Sequence, residues 1–200
     1  MRDLTLKKVA EADFPSRFGR FRIYGFEGMR SDGNEEALAL RLGDVSNQHG
    51  PVLVRIHSQC LTGDVFHSQR CDCRAQLELA LDQIVAEGRG LLIYEHQEGR
   101  GIGLMNKLRA YELQDEGLDT VEANQRLGFE ADLRDYALPV AILRYFEIAE
   151  IRLLSNNPEK VDAVESAGIK VVERAPIVAP PLDTTEEYLR TKREKLGHLF

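Results

Sequence analysis

All three cysteines of the chain lie in one window of fourteen residues, at Cys60, Cys71 and Cys73. Thiolates gathered this closely among mostly polar residues indicate a metal site. A structural zinc is almost always closed by four protein ligands, whereas a catalytic zinc keeps one position open for water. Three cysteines therefore favour an open zinc site that takes part in hydrolysis.

A disulfide or a group of inert thiols accounts less well for the cysteine cluster. A disulfide would leave one thiol over, and Cys71 and Cys73 are too close in sequence for an unstrained bridge. Buried inert thiols would need apolar neighbours, but Asp72 stands between two of them. A closed zinc site of three cysteines and one histidine, His57 or His67, stays open as the rival interpretation.

A second pattern, EGRGIG from Glu98 to Gly103, follows an apolar run and precedes a helical one. Glycines there let backbone N–H groups approach an anion at a helix start. The spacing matches neither the dinucleotide fingerprint nor the Walker loop, so alone it also fits a simple turn. A carboxylate such as Glu98 is suited to the N1 and N2 edge of guanine, and Arg100 to phosphate or a base edge.

Further polar residues have both a structural and a functional interpretation. Tyr111 is either a core aromatic or a surface on which a nucleobase stacks. Asp132 and Arg134 form either a surface pair or a proton acceptor beside a phosphate-binding cation. Ser155 and Lys160 follow a predicted strand, where α/β sheets often bind ligands, although a helix N-cap would also explain the serine. The C-terminal residues look like a solvated helix face: Tyr188, Lys192, Lys195 and His198.

The composition limits the class of protein. A formal charge of −7 with 43% hydrophobic residues argues against general nucleic-acid binding, which needs a broad basic surface. It leaves room for a small anionic substrate, provided that cations concentrate in one cleft. We find neither a signal peptide nor a membrane-length apolar run and expect a cytoplasmic protein.

Several arginines lie near the motifs: Arg55, Arg70, Arg74, Arg100 and Arg134. Arg70 and Arg74 flank the cysteines and could offset their charge.

Hydrophobic periodicity and turn residues predict the elements that position these groups. Strands are predicted at 21–26, 37–45, 51–56, 91–94, 151–154 and 169–172. Helices are predicted at 74–87, 98–116, 121–126, 139–146, 158–168 and 186–196, with a loop at 175–185. We therefore predict a mixed α/β (α+β) fold over residues 1–200 as a single domain. Its early strands should be antiparallel, and its later βα units should carry parallel strands.

The chain resembles the GTP cyclohydrolase II family over nearly its whole length. The segments that carry the resemblance are RIHSQCLTGDVFHSQRCDC, HQEGRGIGLMNKLRAYELQDEGLDTVEAN, LGFEADLRDY and RLLSNNPEK. Family membership implies zinc-dependent opening of the guanine imidazole ring of GTP at C8. Formate and diphosphate leave, and the product enters riboflavin synthesis. It also implies one zinc ion per subunit, Mg²⁺ on the triphosphate and a homodimer.

The resemblance also implies roles for individual residues. The zinc ligands fall on Cys60, Cys71 and Cys73. The proton acceptor falls on Asp132, the arginine proposed as a nucleophile on Arg134, and the active-site tyrosine on Tyr111. The substrate-binding positions are Arg55, Ile56, His57, Ser58, Gln59, Gln76, Glu98, Gly99, Arg100, Thr120, Ser155 and Lys160.

The chain departs from the family pattern at three positions. Gln59 replaces a glutamate, Arg74 a glycine and Ser155 a threonine. None of these changes removes a ligand, the acid/base candidate or the arginine. Two other functions are kept as alternatives, a catalytically silent GTP-binding regulator and a structural module held together by zinc.

Overall fold

The computed structural model describes residues 4–31, 33–180, 186–197 and 199. Its strands are β1 (Thr5–Pro15), β2 (Arg20–Arg30), β3 (Gly33–Leu42), β4 (Val52–Ser58), β5 (Gly90–Glu95), β6 (Glu150–Leu154) and β7 (Lys170–Ala175). Its α-helices are α1 (Leu61–Asp64), α2 (Cys73–Glu87), α3 (Leu104–Asp115), α4 (Thr120–Arg126), α5 (Ala137–Tyr145), α6 (Pro158–Ser166) and α7 (Glu186–Leu196). Within these ranges, no helix is long and apolar enough to cross a membrane.

All seven strands join one mixed sheet in the order β1-β2-β3-β5-β4-β6-β7. Strands β1, β2, β3 and β5 pair antiparallel in that order. Strands β5, β4, β6 and β7 pair parallel. The predicted α/β class, with antiparallel strands early and parallel strands late, is confirmed.

The central strands β4 and β5 are buried along almost their whole length, because helices and loops cover both of their faces. In β4, Val54 and Ile56 belong to the core cluster that includes residues of α5, whereas Leu53 packs in a second cluster with residues of α2. This two-sided burial explains why the run PVLVRI lacks the alternation of a half-exposed strand.

The order of the strands changes direction at β4. The chain passes from β4 to β5 on one side of it and later to β6 on the other side. Open α/β sheets bind ligands beyond the carboxyl ends of their strands at such a point. The segments that follow β4, β5 and β6 carry Cys60, Glu98 and Ser155, respectively. The sheet thus brings three motifs that are distant in sequence to one edge.

Strand β1 was missed in the sequence, because it carries few large apolar residues. Apart from Leu6 and Phe14, all of its residues are exposed. Backbone pairing with β2 holds this edge strand in place, and cross-strand ion pairs such as Arg20–Asp13 add to it. A strand that is polar on both faces gives no hydrophobic signal.

Candidate active site

The sulfur atoms of Cys60, Cys71 and Cys73 all lie within 4.8 Å of one another. The Sγ atoms of Cys60 and Cys71 are 3.7 Å apart. Zinc–sulfur bonds of about 2.3 Å in a tetrahedral arrangement would separate two sulfurs by about 3.8 Å. The soft donor set suits zinc, and the distance between the Cys60 and Cys71 sulfur atoms matches the value that zinc requires.

Gly63, in α1, lets the backbone pack directly onto the sulfur atoms. A Cβ atom at this position would lie 3.0 Å from Cys71 Sγ and 3.1 Å from Cys60 Sγ. Both distances are too short for ordinary contacts. Gly63 therefore shapes the cluster, although nothing in the sequence distinguished it from the glycines of ordinary turns.

Neither candidate histidine belongs to the described cluster of metal-ligating groups. The ring of His57 lies 3.3 Å from both carboxylate oxygens of Asp64 and stacks on Tyr94. Burial lowers the pKa of His57, which favours its neutral form. His67 is exposed. The arrangement gives no support to a site closed by three cysteines and one histidine.

The cation beside the cluster is not one of the two arginines that flank the cysteines in sequence. Lys107 donates to Cys60 Sγ at 3.1 Å. Arg74 instead donates to the Asp64 carbonyl at 2.7 Å, and Arg70 pairs with Asp115. The local expectation for the arginines was wrong, because sequence proximity does not determine which way a side chain points.

A cleft that opens to solvent adjoins the sulfur cluster, and all three cysteines line it. Every predicted site residue lines it except Ile56 and Asp132. Ile56 is buried in the core and contributes only its carbonyl oxygen, which accepts from Lys160. Among the described residues, the cations of the lining are Arg55, Arg70, Arg100, Lys107, Arg134, Lys160 and Lys192, against a single carboxylate, Glu98. The acidic chain thus concentrates positive charge in this cleft.

Asp132 does not line the cleft but binds two nitrogen atoms of the Arg134 guanidinium. Arg134 Nε donates to Asp132 Oδ1 at 2.9 Å, and a second bond joins Nη2 to the other carboxylate oxygen. Although burial opposes both charges, this pairing keeps the pKa of Asp132 below and that of Arg134 above their ordinary values. The arginine therefore stays charged, with Nη1 3.4 Å from Ser58 Oγ.

Lys160 lies in a fully buried polar group at the ends of β4 and β5. Its ammonium donates to the Ile56 carbonyl at 2.8 Å and to Ser58 Oγ at 3.3 Å, and lies 3.9 Å from Glu95. Burial lowers the pKa of Lys160 to about 7 and raises that of Glu95. Sequence analysis missed Glu95, which in the sequence is simply the last residue of a strand.

The turn from Glu98 to Gly101 is a short 3-10 segment, and the helix begins at Leu104 rather than at Glu98. Gly99 and Arg100 both have a left-handed backbone, with φ near +60°. This conformation is costly for arginine and is typically retained at functional sites. One guanidinium nitrogen of Arg100, Nη1, is buried without a hydrogen-bond partner. An acceptor on a ligand would satisfy it.

The carboxylate of Glu98 is largely engaged within the chain. It accepts from Leu61 N at 2.7 Å, from Lys107 Nζ at 2.7 Å and from Gly99 N at 3.0 Å. A guanine would share this carboxylate with those donors. The expected contact to the base therefore stays a prediction.

The remaining predicted residues complete the wall of the cleft. Tyr111 OH lies 3.1 Å from Thr62 Oγ1, beside the sulfur cluster. Thr120 is the first residue of α4. Ser155 Oγ accepts from Asn157 N at 3.1 Å, which shapes the turn before α6. Asn157, which follows the same strand end as Ser155, also lines the cleft. Asn124 lines it as well, and sequence analysis had not assigned this residue to the site.

The C-terminal helix was expected to be solvated, but part of it closes one side of the cleft. Lys192 is 7% exposed and donates to Asp72 Oδ1 at 2.8 Å. Asp72 also accepts from Gln76, whose amide oxygen in turn accepts from Arg55 at 2.7 Å. Burial opposes the charge of Asp72, but Lys192 holds its pKa below the ordinary value. A chain of polar contacts thus connects α7 to the floor of the cleft.

Two other residues of this helix differ in their surroundings. Tyr188 is half-buried and lines the cleft, contrary to expectation. Lys195 is exposed as expected and pairs with Asp119 and Glu122 at the start of α4. His198 lies outside the described residues.

Replacing Lys192 with methionine should lower the free energy of unfolding by about 3 kcal/mol, because it leaves a buried carboxylate unpaired. Urea denaturation of the metal-loaded protein measures this change. A second substitution, Asp72→Asn, should recover part of the loss by removing the orphaned charge. Lys195→Met, on the exposed side of the same helix, is the control and should leave the midpoint nearly unchanged. Equal losses in both lysine variants would contradict the buried ion pair.

Comparisons with known proteins agree on one family. A sequence model of GTP cyclohydrolase II matches residues 7–176. Proteins named GTP cyclohydrolase-2 from Shigella boydii serotype 18 and from Escherichia coli O9:H4 are each 53% identical over 197 residues. In both cases the match covers 98% of this chain and 99% of the relative.

Among solved structures, a two-domain 3,4-dihydroxy-2-butanone 4-phosphate synthase from A. baumannii aligns with a TM-score of 0.42 and 15% identity. The alignment covers 76% of this chain and 34% of that one, so the chain spans about a third of that protein. A likeness at this level says nothing about activity.

Proposed function

Because the chain belongs to the GTP cyclohydrolase II family, a family of hydrolases, we propose that it opens the guanine imidazole ring of GTP at C8. Formate and diphosphate leave, and the product is 2,5-diamino-6-(5-phosphoribosylamino)pyrimidin-4(3H)-one. This is the first step of riboflavin biosynthesis. The observation that carries the proposal is a cluster of three thiols beside a cleft lined by seven cations.

Cys60, Cys71 and Cys73 would hold the zinc ion, since their sulfur atoms all lie within 4.8 Å of one another. A zinc ion with an open position supplies Lewis acidity and a source of hydroxide at neutral pH. With three protein ligands, the site would keep such a position. Neither neighbouring histidine is placed to take it.

Arg134, Lys160 and Arg100 would bind the triphosphate, with Mg²⁺ offsetting part of its charge. Arg134 presents Nη1 while Asp132 holds its other nitrogens, an arrangement suited to a phosphate oxygen. Lys160 and the serine turn at Ser155 lie at the adjoining strand ends. The unpaired Nη1 of Arg100 would donate to a further ligand oxygen, since buried donors need a partner.

Two residues were candidates for moving protons, and their surroundings suggest different tasks. The carboxylate of Asp132 is ionised and engaged by Arg134, so it positions the guanidinium. Tyr111 places its hydroxyl on Thr62, next to the sulfur cluster. We assign proton transfer near the reacting carbon to Tyr111, and orientation of Arg134 to Asp132.

Mass analysis of the products formed from GTP, Zn²⁺ and Mg²⁺ tests the proposed reaction. Formate, diphosphate and the opened pyrimidine should appear in equal amounts. Diphosphate without formate would contradict ring opening, and GTP that binds but stays intact would favour the silent regulatory relative.

We also propose a homodimer in the cytoplasm, which sedimentation analysis and fractionation of the source cells would test.

The pH dependence of kcat/KM for GTP should report on Lys160. Because burial lowers its pKa to about 7, the free enzyme loses this positive charge above that pH and binds an anionic substrate less well. We expect kcat/KM to fall on the alkaline side, since this ratio follows groups of the free enzyme. Glu95, Arg134 and Tyr136 face the ammonium and determine where the midpoint lies.

The variant Lys160→Gln should lower kcat/KM about tenfold at pH 6.5, since it loses a charged hydrogen bond. It should also remove the alkaline limb of the profile. Lys170→Met, which removes an exposed lysine paired with Glu150, serves as the control and should keep the limb. An unchanged limb in Lys160→Gln would show that another group titrates.

A further inference from the structure

Lys107 lies in the first turn of α3, with its ammonium against the sulfur cluster. Its Nζ donates to Cys60 Sγ at 3.1 Å, to Thr62 Oγ1 at 2.9 Å and to Glu98 Oε1 at 2.7 Å. Its side chain is only 12% exposed. Three different segments of the chain thus meet at one nitrogen atom, within contact of a predicted metal ligand.

The contacts of Lys107 leave its ammonium no free donor. An ammonium has three N–H groups, and each finds an acceptor inside the protein. Although Lys107 lines the cleft, a substrate could bind it only by displacing one of these partners. Its geometry is that of a group which holds other residues in place.

The charge of the cluster explains why a cation is needed there. Three thiolates and one Zn²⁺ carry a formal charge of −1, and Cys60 is buried. A buried charge is costly unless it is paired and hydrogen-bonded. An N–H bond to a thiolate also withdraws electron density from sulfur, so the sulfur donates less to the metal. The metal then remains a stronger Lewis acid.

We propose that Lys107 is a positioning residue of the metal centre, which neutralises and orients the Cys60 thiolate and so maintains the Lewis acidity of the ion. This inference rests on the proposed zinc site. Glu98 accepts a hydrogen bond from the same ammonium and another from the Leu61 amide, next to Cys60 in the chain. Thr62 joins the same ammonium to Tyr111. The metal, its cationic neighbour and the tyrosine therefore form one connected unit.

Cobalt-substituted protein without GTP provides a readout that is independent of turnover. Thiolate ligands give Co²⁺ a sulfur-to-metal charge-transfer band in the near ultraviolet. Loss of the N–H bond in Lys107→Met makes the sulfur more electron-rich, so the band should move to longer wavelength. Lys107→Arg keeps a charged donor and should restore part of the wild-type position.

Arg109→Met is the matched control, because it removes a positive charge from the same helix. Arg109 is exposed, and its guanidinium donates to Asn106 Oδ1 rather than to the cluster. Its cobalt spectrum should coincide with that of the wild type. Thermal unfolding followed by circular dichroism confirms that each variant is folded before its spectrum is interpreted.

Steady-state kinetics of the zinc-loaded variants separates positioning from substrate binding. Lys107→Met should lower kcat about 10- to 100-fold, as outer-shell partners of metal ligands typically do. Its KM for GTP should change by no more than about threefold, because uniform substrate binding is not lost. Lys107→Arg should recover part of kcat.

The outcomes distinguish this inference from the proposed function. If the wild type lacks the thiolate charge-transfer band, the zinc site is wrong and the inference fails with it. If the wild type has the band and Lys107→Met leaves it unmoved, the role of Lys107 is refuted while the zinc site stands. A large rise in KM with unchanged kcat would equally overturn the inference, since it would make Lys107 a substrate ligand.

Discussion

Replacing Cys71 with serine should abolish formate release from GTP, with a loss of about a thousandfold or more, because the proposed zinc ion would activate the hydrolytic water. A serine hydroxyl is not deprotonated at neutral pH and is a poor ligand for zinc compared with a thiolate. The two remaining sulfurs would hold the ion weakly. Formate assay and metal analysis of the purified variant measure both consequences.

The loop between the cysteines offers a matched control for this experiment. Val65 is 56% exposed and lies between the first two ligands in sequence. Val65→Ser introduces the same hydroxyl without removing a sulfur, so it should keep both zinc and activity. If Cys71→Ser released formate at a near-normal rate, or retained a full equivalent of zinc, the assigned ligand set would be wrong.

Replacing Arg134 with methionine should lower kcat/KM for GTP by about a thousandfold, which is the scale of losing one preorganised charge contact to the transition state. The guanidinium is only 11% exposed and held rigidly by Asp132, so water cannot replace it at little cost. Release of diphosphate, followed with a coupled assay, should fall together with formate.

The variant Arg134→Lys examines which property of the arginine matters. A lysine keeps the charge but cannot bond Asp132 through two nitrogens while presenting a third. We expect it to recover less than about a tenth of wild-type activity, in line with the cost of misplacing a catalytic contact. Recovery to near the wild-type rate would mean that charge alone suffices and that the planar fork is irrelevant.

An exposed pair of the same chemistry serves as the control. Arg20 binds Asp13 through Nε and Nη2 in the hairpin of β1 and β2. Arg20→Met removes this bidentate pair outside the cleft, so activity should not change. A similar loss in both arginine variants would indicate a general effect on folding instead of a role in the cleft.

The ion pair also bears on the proposal that Arg134 acts as a nucleophile. A nucleophilic guanidinium must lose a proton, yet Asp132 raises the pKa of Arg134 further above its ordinary value. The pair therefore favours an electrostatic role at the phosphate. If the side chain attacked the α-phosphorus and expelled diphosphate, it would carry the nucleoside monophosphate. A search for this nucleotidyl–enzyme adduct by mass spectrometry of the quenched reaction should find none at Arg134.

Much of the fold follows from local patterns, and the failures have physical causes. The apolar runs of β4 and β5 and the helical period of α2 depend only on neighbouring residues, so they were predicted within a few positions. Strand β1 escaped because an edge strand that is solvated on both faces buries almost nothing. The turn at Gly99 and Arg100 escaped because a left-handed backbone in a non-glycine residue has no sequence signature.

The residues of the site also fall into two groups, those that local sequence predicted and those that only the tertiary structure brings together. Residue type and spacing, together with the family pattern, predicted that the three thiols form one metal-binding unit, and the structure brings their sulfur atoms together. The partners of that unit come from far along the chain. Lys107 is 47 residues from Cys60, and Lys192 is 120 residues from Asp72. Each had looked like an ordinary lysine of a helix.

The sequence by itself therefore determined the class of fold and the family, and it predicted the donor atoms. Only the tertiary structure decided which cation contacts a sulfur atom, which groups Glu98 binds and how the last helix closes one side of the cleft. The reason is that side-chain chemistry and helical period are local properties. Charge pairing in a buried site depends on which strand ends lie next to one another in the sheet. Strand β4 lies between β5 and β6 only because crossover connections place these strands on its two sides.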